Sequence, residues 1–138
     1  MKTNGSFSIL IFSSLVFITN VFSTFYKKYY FYCFLFVCLT ITSVIFHYNT
    51  NIYTNLLDRI FVLAIVFYGG CMLYNKTTTN NQLRVLLIVI TFLCCIFFFF
   101  YGYYVNDYCY NPDKRIGDIY HCMLHIIASF GNHLLTFL

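Results

Sequence analysis

The sequence contains no tryptophan and no glutamate, has a single proline, and only 9% of its 138 residues are charged. Globular proteins typically carry about a quarter charged residues, so a soluble fold of this size could not cover its surface. Hydrophobic residues instead account for 61% of the chain. The eight lysines and arginines are scattered, without the basic patch that nucleic-acid-binding proteins use. We therefore expect an integral membrane protein with no nucleic-acid partner.

Five apolar stretches divide the chain, each close to the roughly 20 residues that cross a bilayer as a helix. Only helices fit, because no strand alternation is visible and unpaired backbone groups are too costly in lipid. The sequence predicts an all-α, single-domain membrane bundle over residues 1–138, with about five transmembrane helices at 7–25, 29–48, 56–74, 83–105 and 116–138. The first stretch has an alternative interpretation as a cleavable signal peptide. The lysine and arginine distribution does not decide the orientation.

Four ionisable side chains lie within or at the ends of these helices. Placing an ionisable side chain inside a membrane helix costs about 2.5–3.5 kcal/mol, so each of these residues indicates a functional site. His47 closes the second helix and Asp58 opens the third, while His121 and His125 lie early in the fifth. Strict alternation of the helices brings all four side chains to the same side of the membrane. Ser43 lies one helical turn before His47 and shares its face, as His121 and His125 also share one.

Three imidazoles at similar depth, with a carboxylate beside them, suit a zinc site. Three protein ligands and a fourth position open to water are the arrangement of catalytic zinc. Each residue alone also has a simpler interpretation: Ser43 bonds back to its own helix, and His47 lies at the membrane interface. Asp58 pairs with Arg59 or caps its helix. Only the joint hypothesis predicts that these groups share one leaflet.

Two segments resemble the alkaline ceramidases. Residues 43–47 read S-V-I-F-H, with Asp58 eleven positions after the histidine, and residues 121–126 read H-C-M-L-H-I, with Gly131 following. The matched segments cover roughly a third of the chain. The wider superfamily includes adiponectin-receptor-like proteins, but the short interval between histidine and aspartate is most similar to the ceramidases.

The resemblance implies that His47, His121 and His125 bind zinc. It implies that Asp58 holds or deprotonates the attacking water and that Ser43 stabilises the oxygen that becomes negative. The implied activity is hydrolysis of the amide bond of ceramide-like membrane lipids. The implied location is an intracellular membrane, such as the endoplasmic reticulum or Golgi.

The sequence also departs from that family, which has seven helices and an N-terminal calcium-binding segment containing tryptophan and acidic residues. Without tryptophan or glutamate, we expect no calcium site of that kind. Two missing helices would leave the lipid pocket incomplete or completed by a second subunit in a homo-oligomer. Two other hypotheses stay open. One is a non-enzymatic multi-span protein with a structural or vestigial metal site, and the other is a small pore-forming or scaffold protein.

Overall fold

The computed structural model describes residues 9–138, and all regular structure in that range is helical. The predicted start of the first helix near residue 7 lies outside the described residues. Five helical segments follow one another, which confirms the all-α architecture. The first three are α1 (Ile9–Ser14) with α2 (Phe17–Tyr26), then α3 (Tyr30–Tyr48), then α4 (Ile52–Lys76). The fourth joins α5 (Gln82–Ile96), a π-helical turn (Phe97–Tyr101) and α6 (Gly102–Val105), and a 3₁₀ turn (Tyr108–Tyr110) leads to α7 (Lys114–Thr136).

Four of the five segments are long and apolar enough to cross a membrane: Ile9–Tyr26, Tyr30–Tyr48, Ile52–Lys76 and Gln82–Val105. They indicate a multi-pass integral membrane protein. The fifth predicted span, α7, is not among these four. It begins with Lys114 and Arg115, and polar side chains recur along its length. Because α7 contacts α1, α2, α4 and α5, its polar side chains can face other helices and need not face lipid.

The buried face of α7 consists mainly of small and polar residues: Gly117, His125, Ser129, Gly131, Leu135 and Thr136. Small residues let membrane helices approach closely, and polar side chains bond across the interface because lipid offers them no partner. Ser129 Oγ donates to Asn20 Oδ1 at 2.6 Å, and Asn20 Nδ2 donates back to the Ser129 carbonyl at 3.0 Å. Tyr32 Oη donates to Asn132 Oδ1. These bonds fasten α7 to α2 and α3.

The first segment is interrupted at Leu15 and Val16, where amide bonds to the third preceding carbonyl replace those of an α-helix. Just before the interruption, Ser13 Oγ and Ser14 Oγ both donate to the Leu10 carbonyl, at 3.1 and 2.7 Å. Serine side chains that bond back in this way commonly bend helices. The pair of serines therefore accounts for the interruption between α1 and α2.

The helix α4 begins at Ile52, four residues before the predicted start at residue 56. Asn51 caps it, since its side chain accepts from the amides of Tyr53 and Thr54, and the Thr54 hydroxyl accepts from the Asn51 amide. The predicted start at residue 56 rests on the apolar pattern, which does not reveal this reciprocal capping box. As a consequence Asp58 lies inside the helix, in its second turn, and does not cap it.

The helices α5 and α7 approach each other closely at Gly131. A Cβ atom added there would lie 2.2 Å from Thr91 Oγ1 and 3.1 Å from Thr91 Cβ. Rotating the Thr91 side chain would relieve only the first contact, and the second requires the Thr91 backbone to shift by a few tenths of an ångström. Gly70, in the middle of α4, has no atom within 4 Å of the same position and offers a matched comparison.

We expect Gly131→Ala to lower the midpoint of thermal unfolding in detergent, because overpacking a tight contact costs about 1–3 kcal/mol. Gly70→Ala should leave the midpoint unchanged or raise it, since alanine is the better helix former. Combining Gly131→Ala with Thr91→Ala should recover part of the loss. Circular dichroism of the helical signal provides the measurement, and equal stability of the two single variants would contradict the close contact.

Candidate metal centre

Three histidines meet near one end of the bundle: His47 from the last turn of α3, and His121 and His125 from consecutive turns of α7. One ligand atom from each lies within 4.8 Å of the others. The ring centroids of His121 and His125 are 4.8 Å apart, and that of His47 lies 5.0 and 5.4 Å from them. The structure thus brings together the three side chains that the sequence predicted to converge, and the cluster could hold a metal ion.

His125 is the most enclosed of the three, with 5% of its surface exposed. Its Nδ1 lies 2.8 Å from Ser13 Oγ in α1. The ring of Phe17, from the start of α2, packs edge-on against it with centroids 5.4 Å apart. Two groups from the first segment, one on each side of its interruption, therefore fix the orientation of this imidazole.

The Ser13 contact bears on the tautomer of His125, because either side chain can be the donor in it. Ser13 Oγ also lies 3.1 Å from the Leu10 carbonyl, to which it can donate its single hydrogen. In that arrangement Nδ1–H donates to the serine oxygen and the Nε2 lone pair is left for a metal, which is how a second partner commonly prepares a histidine ligand.

His47 Nε2 is buried and has no hydrogen-bond partner among the described residues. Leaving a buried polar atom unsatisfied costs about 1–3 kcal/mol, and such atoms in native proteins usually have a reason. A metal ion bound among the three rings would give this nitrogen a partner. The unpaired nitrogen is therefore an observation that fits a metal centre.

The spacing of the ligand atoms is wider than a bound metal requires. Around one tetrahedral zinc ion with bonds of about 2.0–2.1 Å, two nitrogens lie about 3.4 Å apart. The upper limit of 4.8 Å between these ligand atoms means that the rings must draw together on binding. Since His47 and His121 are only partly buried, their side chains have room to adjust.

Ser43 lies one turn before His47 and is almost fully buried. Its Oγ is 2.9 Å from Ser14 Oγ, and either hydroxyl can be the donor in this pair. When Ser14 donates its single hydrogen to the Leu10 carbonyl, 2.7 Å away, Ser43 is the donor. Ser14 is a residue of another helix, whereas the simpler interpretation expected Ser43 to bond back to its own.

Asp58 is not part of the group of ligand atoms around the three histidines. Its Oδ1 accepts from Thr42 Oγ1 at 3.4 Å, a long and weak bond. Arg59 interacts electrostatically with Asp58 but forms no salt bridge with it in the described part of the chain, and Arg59 Nε donates to Asn55 Oδ1 while its guanidinium lies over the Phe99 ring. The predicted role of Asp58 beside a metal-activated water stays a prediction.

The structure draws attention to a second carboxylate, which the sequence analysis did not single out. Asp118 lies one turn before His121 on the same face of α7, accepts a salt bridge from Lys114, and interacts electrostatically with His121 and His47. The spacing D-x-x-H-x-x-x-H could have revealed it, since all three positions share a helix face. No local sequence pattern identifies Ser13, because its contact with His125 joins residues 112 positions apart.

Comparisons of the chain with protein-family models, with curated proteins and with solved structures give no match. What the structure itself establishes is a helical, multi-span membrane protein in which three histidines form a cluster that could bind a metal ion.

Proposed function

We propose that this protein is a zinc-dependent membrane hydrolase that cleaves the amide bond of ceramide-like lipids. The observation that carries the proposal is the convergence of His47, His121 and His125 at one end of an apolar bundle. Segments 43–47 and 121–126 resemble the alkaline ceramidases, and the same segments supply the three histidines. A lipid substrate suits the setting, because most of the surface of the four long segments is apolar and exposed.

Zinc suits the donor set, since neutral imidazoles are among its preferred ligands and three of them leave a fourth position open. When bound, zinc would supply Lewis acidity toward the amide carbonyl and lower the pKa of water. Ser13 would hold His125 with its Nε2 lone pair available. The burial of His125 would keep competing water away from that ligand.

In the proposed reaction a water oxygen bonds to the amide carbonyl carbon, the carbon–nitrogen bond breaks, and the products are a fatty acid and a long-chain base. Asp58 accepts a proton from the water and returns one to the departing nitrogen. Its present bond to Thr42 is long, so little must be broken before the carboxylate can act. Acid–base help of this kind contributes about 10²–10⁴-fold.

Ser43 donates a hydrogen bond to the carbonyl oxygen as negative charge develops there. To do so its hydroxyl must turn away from Ser14, its present hydrogen-bond partner. Because both serines are buried, the exchange occurs out of contact with bulk water, where such a bond is most effective. Ser14 thus gives the Ser43 hydroxyl a hydrogen-bond partner until the substrate oxygen takes the place of Ser14.

Location and assembly rest on the resemblance alone. We place the protein in an intracellular membrane of the endoplasmic reticulum or Golgi type. We also propose a homo-oligomer in which a second copy completes the lipid pocket that the two missing helices would otherwise form.

A second candidate function is a membrane protein whose metal site is structural. It is favoured by the separation of Asp58 from the ligand group and by the closed Ser14–Ser43 pair. Both candidate functions require a bound metal, and only the hydrolase requires turnover of a substrate.

We expect purified protein to contain one zinc ion per chain, measured by elemental analysis. His121→Ala or His125→Ala should remove it, because two imidazoles hold zinc poorly. His133→Ala is the matched control, since this histidine of α7 lies outside the cluster and bonds to Thr19, and it should keep the metal. Stoichiometric zinc in the double variant of His121 and His125 would place the site elsewhere.

Replacing Ser13 with alanine should weaken zinc binding about 10–100-fold, the usual effect of removing a partner that orients a histidine ligand. Ser14→Ala is the control, because Ser14 makes the same bond to Leu10 but none to His125. Competition with a metal-binding dye measures the affinity. Ser13→Thr, which keeps the hydroxyl, should restore it, and equal affinity of the two alanine variants would show that Ser13 does not position His125.

Zinc-loaded protein in mild detergent should hydrolyse ceramides of some chain length, measured as released long-chain base. Asp58→Asn should keep the zinc and lose about 10²–10⁴-fold in rate. Ser43→Ala should slow the reaction by no more than about 3–4 kcal/mol in barrier. A larger loss in Asp118→Asn than in Asp58→Asn would assign the proton transfer to Asp118, and no turnover in any zinc-loaded sample would leave the structural metal site as the function.

A further inference from the structure

The two ends of the bundle differ sharply in charge. All four acidic residues of the chain lie toward the end that holds the histidine cluster: Asp58, Asp107, Asp113 and Asp118. The opposite end, which we call the basic end, carries Lys27 and Lys28 in the turn before α3, Lys76 at the end of α4 and Arg84 at the start of α5. About 27 Å of helix separates Asp58 from Lys76, at 1.5 Å per residue.

Two of these cations are held by the C-terminal end of α7. Lys76 Nζ donates to the carbonyls of Leu135 and Thr136, at 3.0 and 3.3 Å. Lys27 Nζ lies 4.8 Å from the centroid of the Phe137 ring. Carbonyls at the end of a helix carry partial negative charge, so Lys76 already has its counter-charge within the fold.

Arg84 differs from Lys76 and Lys27 in its surroundings. It is exposed, and its guanidinium has no hydrogen bond or ion pair within the described part of the chain. It lines an open cleft of about 400 Å³ together with His133, Leu134 and Phe137. His133 is itself held in place, because Thr19 Oγ1 lies 2.8 Å from its Nε2. The cleft thus combines an unpaired planar cation with two apolar side chains, and Lys27 lies beside its Phe137 wall.

We propose that this cleft binds the phosphate of an anionic phospholipid. A guanidinium matches phosphate through two parallel hydrogen bonds, and no acidic side chain of the described residues lies at this end to compete for it. Leu134 and Phe137 provide the apolar surface along which an acyl chain lies, which a free phosphate ion would not use. The basic end lies where the long segments begin and end, which puts its cations at the depth of the lipid headgroups.

The proposal is independent of the metal centre, which lies at the other end of α7. Its test uses the whole protein in nanodiscs of phosphatidylcholine, with phosphatidylglycerol carrying a fluorescent acyl chain as the probe. Arg84→Gln should weaken binding of the probe about fivefold, the factor that one interfacial cation contributes. Arg115→Gln is the matched control, because it removes the same charge from an exposed position at the other end.

Phe137→Ala should also weaken binding, since it removes the apolar wall without changing the charge. Both variants should keep the helical circular dichroism of the unmodified protein, because both residues are exposed. Equal losses in Arg84→Gln and Arg115→Gln, or equal binding of labelled phosphatidylcholine and phosphatidylglycerol, would overturn the proposal. Displacement of the probe by millimolar inorganic phosphate, with no effect of Phe137→Ala, would show a site for free phosphate and would overturn the lipid assignment.

Discussion

Every polar side chain placed among apolar helices needs a partner within the protein, and the bonds that join distant parts of the chain converge on α7. Asn20, Tyr32 and Ser13 come from three different parts of the chain, and each bonds to a residue of α7. In lipid the alternative to such a bond is an unsatisfied group, so the bonds also select which helix faces inward. The histidine cluster belongs to the same set, since two of its members lie on the polar face of α7.

Much of this arrangement follows from sequence. The apolar runs predict five helices, and alternation of direction predicts that His47 meets His121 and His125 at one end. The remainder depends on information that is not local. The Ser13 contact joins residues 112 positions apart, and the early start of α4 depends on a capping box that an apolar count overlooks. The apolar pattern predicts a fifth span over residues 116–138, whereas α7 carries polar residues whose partners come from other helices.

The first segment has two functions at the proposed site that a simple membrane anchor would not have. Ser13 and Ser14 are adjacent and share one acceptor, the Leu10 carbonyl. Because each hydroxyl has a single hydrogen, donating it to that shared acceptor leaves both serine oxygens able to receive bonds, one from His125 and one from Ser43. A single carbonyl can thus orient two hydrogen bonds, one to a proposed ligand and one to a proposed oxyanion donor.

The same bonds connect the formation of the site with the stability of the fold. α7 is the least apolar of the five segments, and it packs against four other helices. Its place in the bundle therefore depends on bonds with those helices, including the one between Ser13 and His125. A metal bound between α3 and α7 would add to these bonds, because ligand binding to the folded state stabilises it. The Nε2 of His47, buried and without a hydrogen-bond partner among the described residues, is then a point at which the fold is open to a ligand.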